Sequence, residues 1–198
     1  IVADGMGTLK NIEFLRFDNF TLSLNGSKNS LLVSDAVLTV SEDGSGSVDL
    51  LADAWDFEGD DISVVGADQL FYFDAAGSYD YLAFGESESR TFDFTATDGT
   101  NEVVRNITVT IEGVNDTPVA VDDKVATGED DAVIAGNVLD NDHDADTSDV
   151  LTVTGINGGA LGAVTLASGA IVTMQENGSY TYDQAGAFEA LNDGESAT

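Results

Sequence analysis

Two stretches of this chain occur twice. Segment 71–89 (FYFDAAGSYDYLAFGESES) aligns without a gap on 180–198 (YTYDQAGAFEALNDGESAT), an offset of 109 residues. Upstream, 41–65 (SEDGSGSVDLLADAWDFEGDDISVV) matches 128–154 (GEDDAVIAGNVLDNDHDADTSDVLTVT) nearly as well, starting at an offset of 87. A duplication on this scale constrains the fold more than composition does, because one supersecondary unit has been copied and the chain reads as modules in series. Arrays space, display or adhere, whereas catalysis seldom needs the same module twice.

The two offsets differ, so the second copy holds about 22 extra residues between Gly155 and Gly178. Two strands are expected there, 163–166 and 170–174, as a hairpin that the first copy lacks. At the other end the asymmetry reverses. The first copy runs on past GESES into two strongly alternating segments, 91–97 (TFDFTAT) and 102–111 (EVVRNITVTI), while the second stops at GESAT. The second copy therefore lacks closing strands, either because the sequence is truncated or because another chain supplies them by β-addition.

Alternation of apolar and polar residues dominates, with Val, Thr, Ile, Phe and Tyr enriched between Gly, Asn and Asp. In 91–97, Phe92 and Phe94 share one face and Asp93 and Thr95 the other. In 102–111, Ile107, Val109 and Ile111 share a face. Strands are also expected at 150–154 and 179–182, with hairpin corners at Asp98-Gly99, Asn157-Gly158 and Asn177-Gly178. Half-buried strands bounded by turns predict an all-β chain of sandwich modules. Residues 7–24 (GTLKNIEFLRFDNFTLSL) belong to neither copy and read as two strands joined near Asp18-Asn19. The joint between copies, GVNDTPVAVDD (113–123), carries the one proline, Pro118, which fixes its own φ and biases Thr117 to extended backbone.

Charge narrows the partners. The chain has 37 Asp plus Glu against 6 Lys plus Arg, a formal charge of -31. Binding of duplex nucleic acid needs cations that displace counterions from phosphate, and anionic membrane surfaces make the same demand. Neither is an expected partner. Clustered carboxylates instead call for a hard divalent cation, above all Ca²⁺, since like charge at this density works against a compact chain. Plain solubility in salty surroundings is the other reading. There is no cysteine, which removes disulfides, thiolate zinc sites and cysteine nucleophiles together. No apolar run approaches the roughly 18 residues of a membrane span, so membrane insertion is not expected. The chain begins at Ile1 and reads as a piece of something longer, so no targeting segment can be assigned.

The carboxylates lie in clusters. Asp142, Asp144 and Asp146 alternate in DNDHDAD, which in extended backbone points all three to one side, and Asp149 follows. The first copy holds Asp56, Glu58, Asp60 and Asp61 in the matching WDFEGDD, of which Asp56, Glu58 and Asp61 are the ligand candidates. Each copy also has an upstream acidic pair, Glu42-Asp43 and Glu129-Asp130. Oxygen ligands in this density suit Ca²⁺; solvated acidic turns are the competing reading. Neither cluster is an EF-hand: counting from Asp142, Thr147 stands where the turn glycine belongs and Val153 where the bidentate Glu belongs. No enzyme is expected. His143 is the single histidine and sits inside an acidic loop, and there is no phosphate-binding Gly-rich loop or GxSxG elbow. Paired carboxylates could hydrolyse glycosides, but among 37 acidic residues pairs carry no information. Trp55 and the five tyrosines could stack on sugar rings, although the tyrosines fall on strand patterns and Trp55 on an acidic loop.

The joint GVNDTPVAVDD resembles the linker of bacterial cadherin-like repeats, in which an Asn-Asp pair near a proline helps to hold calcium between modules. The second copy (GEDDAVIAGNVLDNDHDAD, LTVTG, GSYTYD, FEALNDGES) and the tail of the first (YDYLAFGESESRTFDFTATDGTNEVVRNITVTIEGVND) are similar to a VCBS-type, cadherin-like (bacterial Ig-like) repeat. The likeness covers roughly residues 40–198. Segment 7–24 resembles the stretch that follows RTX β-rolls, without the nonapeptide repeats themselves. The resemblance implies tandem Ig/cadherin-like β-sandwich modules preceded by a short β segment: 1–33 as that segment, 34–117 as a shortened first module, 118–198 as a second module without its C-terminal strands. It implies Asn115 and Asp116 as linker ligands of calcium, with Asp142, Asp144 and Asp146 as loop ligands. In the first copy WDFEGDD replaces the usual Asn-Asp-rich loop. The function implied is that of an extracellular, calcium-stabilised spacer or adhesion segment of a large RTX-type surface adhesin exported by type I secretion. Polysaccharide, neighbouring repeats or neighbouring subunits are the partners that follow, and a carbohydrate-binding module or a strand-exchanging filament subunit are the alternatives.

Overall fold

A computed structural model of the chain describes residues 14–16, 21–23, 31–131 and 133–197. Among them every regular element is a strand. The chain divides into two units, one of residues 1–79 and 86–112, the other of residues 80–85 and 113–198.

The first unit opens with β1 (Phe14–Arg16) and β2 (Thr21–Ser23), an antiparallel pair with Phe14 opposite Ser23. This matches the two strands expected within 7–24, while the Asp18-Asn19 corner lies outside the described residues. A four-stranded sheet follows in the order β3-β8-β7-β5, where β3 is Ala36–Ser41, β5 Ser63–Val64, β7 Ser87–Thr97 and β8 Glu102–Glu112. A second ladder pairs β4 (Ser45–Asp49) with β6 (Leu70–Asp74).

The β7–β8 hairpin turns where Asp98-Gly99 predicts. Asp98 Oδ1 accepts the amides of Thr100 (2.7 Å) and Asn101 (2.6 Å), an Asx-type turn that lets the side chain stand in for backbone partners. Gly99 takes the left-handed φ of 84° that the corner needs. Alternation in β8 buries Ile107, Val109 and Ile111 at 2%, 0% and 0% exposure on one face. Phe71 and Phe73 of β6 approach Phe92 of β7 at 5.4 and 6.2 Å between ring centroids, so side chains of the two sheets interleave as in a sandwich. Because Ile111 is enclosed, Ile111→Val should cost about 0.5–1.5 kcal/mol. The check is a lower urea midpoint at unchanged slope; an unaltered midpoint would mean that the side chain is not enclosed.

One pairing has no counterpart in the sequence pattern. β3 runs parallel to β8, from Ala36 opposite Ile107 to Ser41 opposite Glu112. The amide of Glu42 extends the ladder to Glu112 O at 2.9 Å, and Arg105 Nε ties the approach to β3 by donating to Val33 O at 2.6 Å.

Among the described residues the second unit holds one sheet, β10-β11-β12-β9, made of β9 (Ile134–Asn137), β10 (Gly162–Thr165), β11 (Ile171–Met174) and β12 (Ser179–Asp183). Its β9–β12 ladder repeats β4–β6 of the first unit, both antiparallel. The inserted residues fold as β10 and β11, added beside β12 as the hairpin expected from the offset. Asn157-Gly158 and Asn177-Gly178 both sit at tight turns, the first closed by Gly159 N to Ile156 O at 2.8 Å and the second by Gly178 N to Gln175 O at 3.1 Å.

The strand expected at 150–154 does not form. Val150 is 83% exposed, and Val153 makes one backbone bond, to Glu176 O at 2.8 Å. The reason is a missing partner. Its counterpart in the first unit is β5, which is a strand because β7 pairs with it. The described residues of the second unit hold no strand in the place of β7.

Candidate metal centre

In the second unit the acidic loop is held against the linker by main-chain bonds. Val119 and His143 exchange amides and carbonyls (2.8 and 3.1 Å), as Leu32 and Trp55 do in the first unit (both 2.8 Å). That repeated bridge puts the two acidic loops in register, Asp56 with Asp144 and Glu58 with Asp146. Alternation survives in burial: Asn141, His143 and Ala145 are exposed, Asp142 and Asp144 half-buried, and Asp146 buried.

The three alternating carboxylates do different work. Asp142 Oδ1 accepts the amide of Val121 at 2.8 Å. Asp144 Oδ1 accepts the amide of Asp146 at 3.1 Å, a turn that aims the Asp146 side chain inward. Asp146 is 1% exposed; its Oδ2 accepts the amide of Asp116 at 2.8 Å, while its Oδ1 has no hydrogen-bond partner among the described residues. A buried polar atom left so is costly and calls for explanation. A carboxylate oxygen of Asp116 lies within 4.8 Å of one of Asp146. At that separation two unit charges repel by about 3 kcal/mol even at an effective dielectric constant of 20. Residues 113–198 contain one Lys or Arg, Lys124, to offset their carboxylates.

The donor set fits a hard cation. All candidate ligands are oxygens, and an ion with Ca–O distances of about 2.3–2.6 Å accommodates oxygens this far apart in one shell. Around the pair, Thr147 is anchored by its amide and its hydroxyl, both donating to Tyr81 O at 3.3 Å. Asp80, next to Tyr81, has a buried Oδ1 without a partner among the described residues. Sequence reasoning passed over Asp80, because it stands within the strand-like DYLAF run and no second acid marks it.

The remaining candidates differ in burial and in partners. Asn115 is exposed and donates its side-chain amide to Asp116 O. Asp149 is exposed, its amide bonded to Asp146 O at 3.1 Å. Glu129 and Asp130 lie exposed on a turn closed by their neighbour Asp131, whose Oδ2 accepts the amide of Gly128 at 2.6 Å. In the first unit Glu42 is buried at the end of the β3–β8 ladder, and Asp43 is exposed beside it. Asp56 is 4% exposed, its Oδ1 accepting the amides of Glu58 (2.8 Å) and Asp60 (3.0 Å) and its Oδ2 without a partner among the described residues. Glu58 and Asp61 are exposed, and Asp56, Glu58 and Asp61 do not converge as a group among the described residues.

Two copies of one β fold with matching acidic loops are the features that decide the family. The bacterial Ig domain matches twice, over residues 28–112 and 115–198. The chain belongs to the bacterial Ig domain family. No curated protein matches it. The two bacterial Ig domains meet at residues 113 and 114, immediately before Asn115 and Asp116. Each bacterial Ig domain keeps its own version of the acidic loop, but only the second sets a buried, partnerless Asp oxygen beside another Asp carboxylate among the described residues.

Proposed function

We propose that this pair of bacterial Ig domains is a calcium-stabilised, non-catalytic segment of a bacterial surface or secreted adhesin of the RTX/VCBS kind, serving as a spacer or adhesion module outside the cell. The observation that carries the reading is Asp146, buried with one bare carboxylate oxygen and within 4.8 Å of the Asp116 carboxylate, in a chain of charge -31. Calcium would be held by Asp116 and Asp146, with Asp142 and Asp144 shaping the loop that presents them. The ion supplies positive charge where the chain supplies none, and it makes folding of the second domain dependent on metal. Calcium titration by calorimetry, with scattering profiles recorded in calcium and in chelator, tests this directly. Heat-releasing binding that Asp146→Asn abolishes is expected; an absence of binding sinks the proposal.

One observation favours a second reading, carbohydrate binding. Trp55 is 59% exposed and tilts against Phe57 with ring centroids 4.6 Å apart, a platform on which a sugar ring could stack. Its exposure makes it dispensable for folding, so Trp55→Ala should change stability by less than about 0.5 kcal/mol. Loss of glycan-array binding in that variant would establish the sugar site. Arrays blank for the unmodified protein would remove it.

A further inference from the structure

The second unit carries two Asn-Gly pairs, Asn157-Gly158 and Asn177-Gly178, and the fold treats them oppositely. Such a pair has its own chemistry. The asparagine amide carbon lies one ring closure from the next residue's main-chain nitrogen, and glycine, having no Cβ, leaves that nitrogen open to approach. Whether the ring closes depends on whether the two groups are free to meet.

At Asn177 they are tied down. The nucleophile, Gly178 N, donates to Gln175 O at 3.1 Å, and Asn177 Oδ1 accepts the amide of Ser179 at 3.1 Å. Asn177 O accepts Asn137 Nδ2 at 3.0 Å, so the peptide plane between the two residues is fixed as well. The turn is also locked into the β11–β12 ladder, by Met174 opposite Tyr180 and by Gln175 N to Ser179 O at 2.9 Å.

At Asn157 these restraints are missing. Both Asn157 and Gly158 are exposed, and among the described residues neither the Asn157 side chain nor Gly158 N makes a hydrogen bond. A Cβ placed on Gly158 would meet nothing within 4 Å, so the space around it is open. The turn is closed by an isolated bridge between Ile156 and Gly159, at 3.2 and 2.8 Å. Asn157 holds a left-handed φ of 51°, which asparagine tolerates but does not prefer. Rotating the Asn157-Gly158 peptide into line for attack therefore has only this bridge to overcome.

We propose that Asn157 is a site of spontaneous deamidation in the folded protein, and that Asn177 is spared. Gly158 N attacks Asn157 Cγ; the N–Cγ bond forms as the Cγ–Nδ2 bond breaks. The proton of Gly158 N passes to solvent, and Nδ2 gains one and leaves as ammonia. Water then opens the succinimide ring. Addition at Cγ restores the main chain and gives aspartate; addition at the main-chain carbonyl carbon gives isoaspartate, with the backbone rerouted through Cγ. Either product adds negative charge to a chain already at -31. Isoaspartate also adds a methylene to the loop that the Ile156–Gly159 bridge closes, which that bridge cannot span unchanged. The site lies within the residues that the first copy lacks, so the first unit has no counterpart of it.

The test incubates the full chain in warm, mildly alkaline buffer. Peptides spanning 157 and 177 are followed by mass spectrometry, with chromatography to separate aspartate from isoaspartate. Asn157 should convert at least about tenfold faster than Asn177, because the hydrogen bonds on both reacting groups of Asn177 must break first; that ratio equals about 1.4 kcal/mol in the barrier. In denaturant the two rates should converge, since the contrast belongs to the fold. Asn157→Gln, whose longer side chain must close a larger ring, should show no conversion at 157 over the same period. Equal rates in the folded chain, an unmodified Asn157, or a contrast that persists in denaturant each overturns the proposal.

Discussion

Chelation should lower the melting temperature of the second domain by roughly 10–20 °C. A ligand at a hundredfold excess over its dissociation constant stabilises the folded state by about 2.7 kcal/mol, and each kcal/mol moves the midpoint of a domain this size by about 4–8 °C. The sign of the accompanying variant is more telling than the size. Asp146→Asn keeps an oxygen to accept the Asp116 amide but removes the charge that would hold the ion. The calcium-dependent gain should vanish. In chelator the variant should melt at or above the unmodified protein, since a buried carboxylate with a bare oxygen and an acidic neighbour is costly. Calorimetric scans of both proteins in Ca²⁺ and in EDTA decide it. Identical melting of the unmodified protein in the two buffers would end the calcium reading, and a variant that loses stability equally in both would make Asp146 a structural residue.

Gly113→Ala should unfold the second unit, residues 80–85 and 113–198, or bring it close to unfolding. A Cβ built at Gly113 falls 2.3 Å from Ala83 O and 2.4 Å from Leu82 O. Both neighbours are main-chain atoms, so no rotamer change can make room, and relief requires moving the buried 82–83 backbone or the linker itself. Overpacking against side chains costs about 1–3 kcal/mol; here the resisting atoms are peptide groups, and about 3 kcal/mol or more is expected. That is a large share of the 5–15 kcal/mol that holds a typical domain together. Circular dichroism should show the loss of one transition, while the Ile111 core keeps its own. A melting curve within about 2 °C of the unmodified protein would show that the close approach is not maintained in solution.

The local features of the fold were legible because they depend on local chemistry. Period-two alternation placed β7 and β8, Asn-Gly and Asp-Gly pairs placed their corners, and the offset between copies placed β10 and β11. What depends on distant partners was not. Nothing in 36–41 announces a parallel pairing with a strand some seventy residues on, and 150–154 has the composition of a strand but no neighbour to make it one. The acidic loop divides in the same way. Alternation correctly set Asp142, Asp144 and Asp146 apart from the exposed residues between them. Each of the three accepts one backbone amide, from Val121, Asp146 and Asp116 in turn; what sets Asp146 apart is burial, which shuts its second oxygen away from solvent. Such main-chain donors leave no trace in a pattern of side chains, and neither does Tyr81, which acts through its carbonyl.

The parallel pairing of β3 with β8 has a consequence for load. Because the strands run the same way, the chain enters the ladder at Ala36 and leaves it at Glu112, at opposite ends. Tension applied through the chain therefore acts along the ladder as shear, loading its evenly spaced bonds together. A hairpin pulled from its open end would instead unzip, each rung breaking in turn. The first domain is thus closed by the arrangement that resists stretching best.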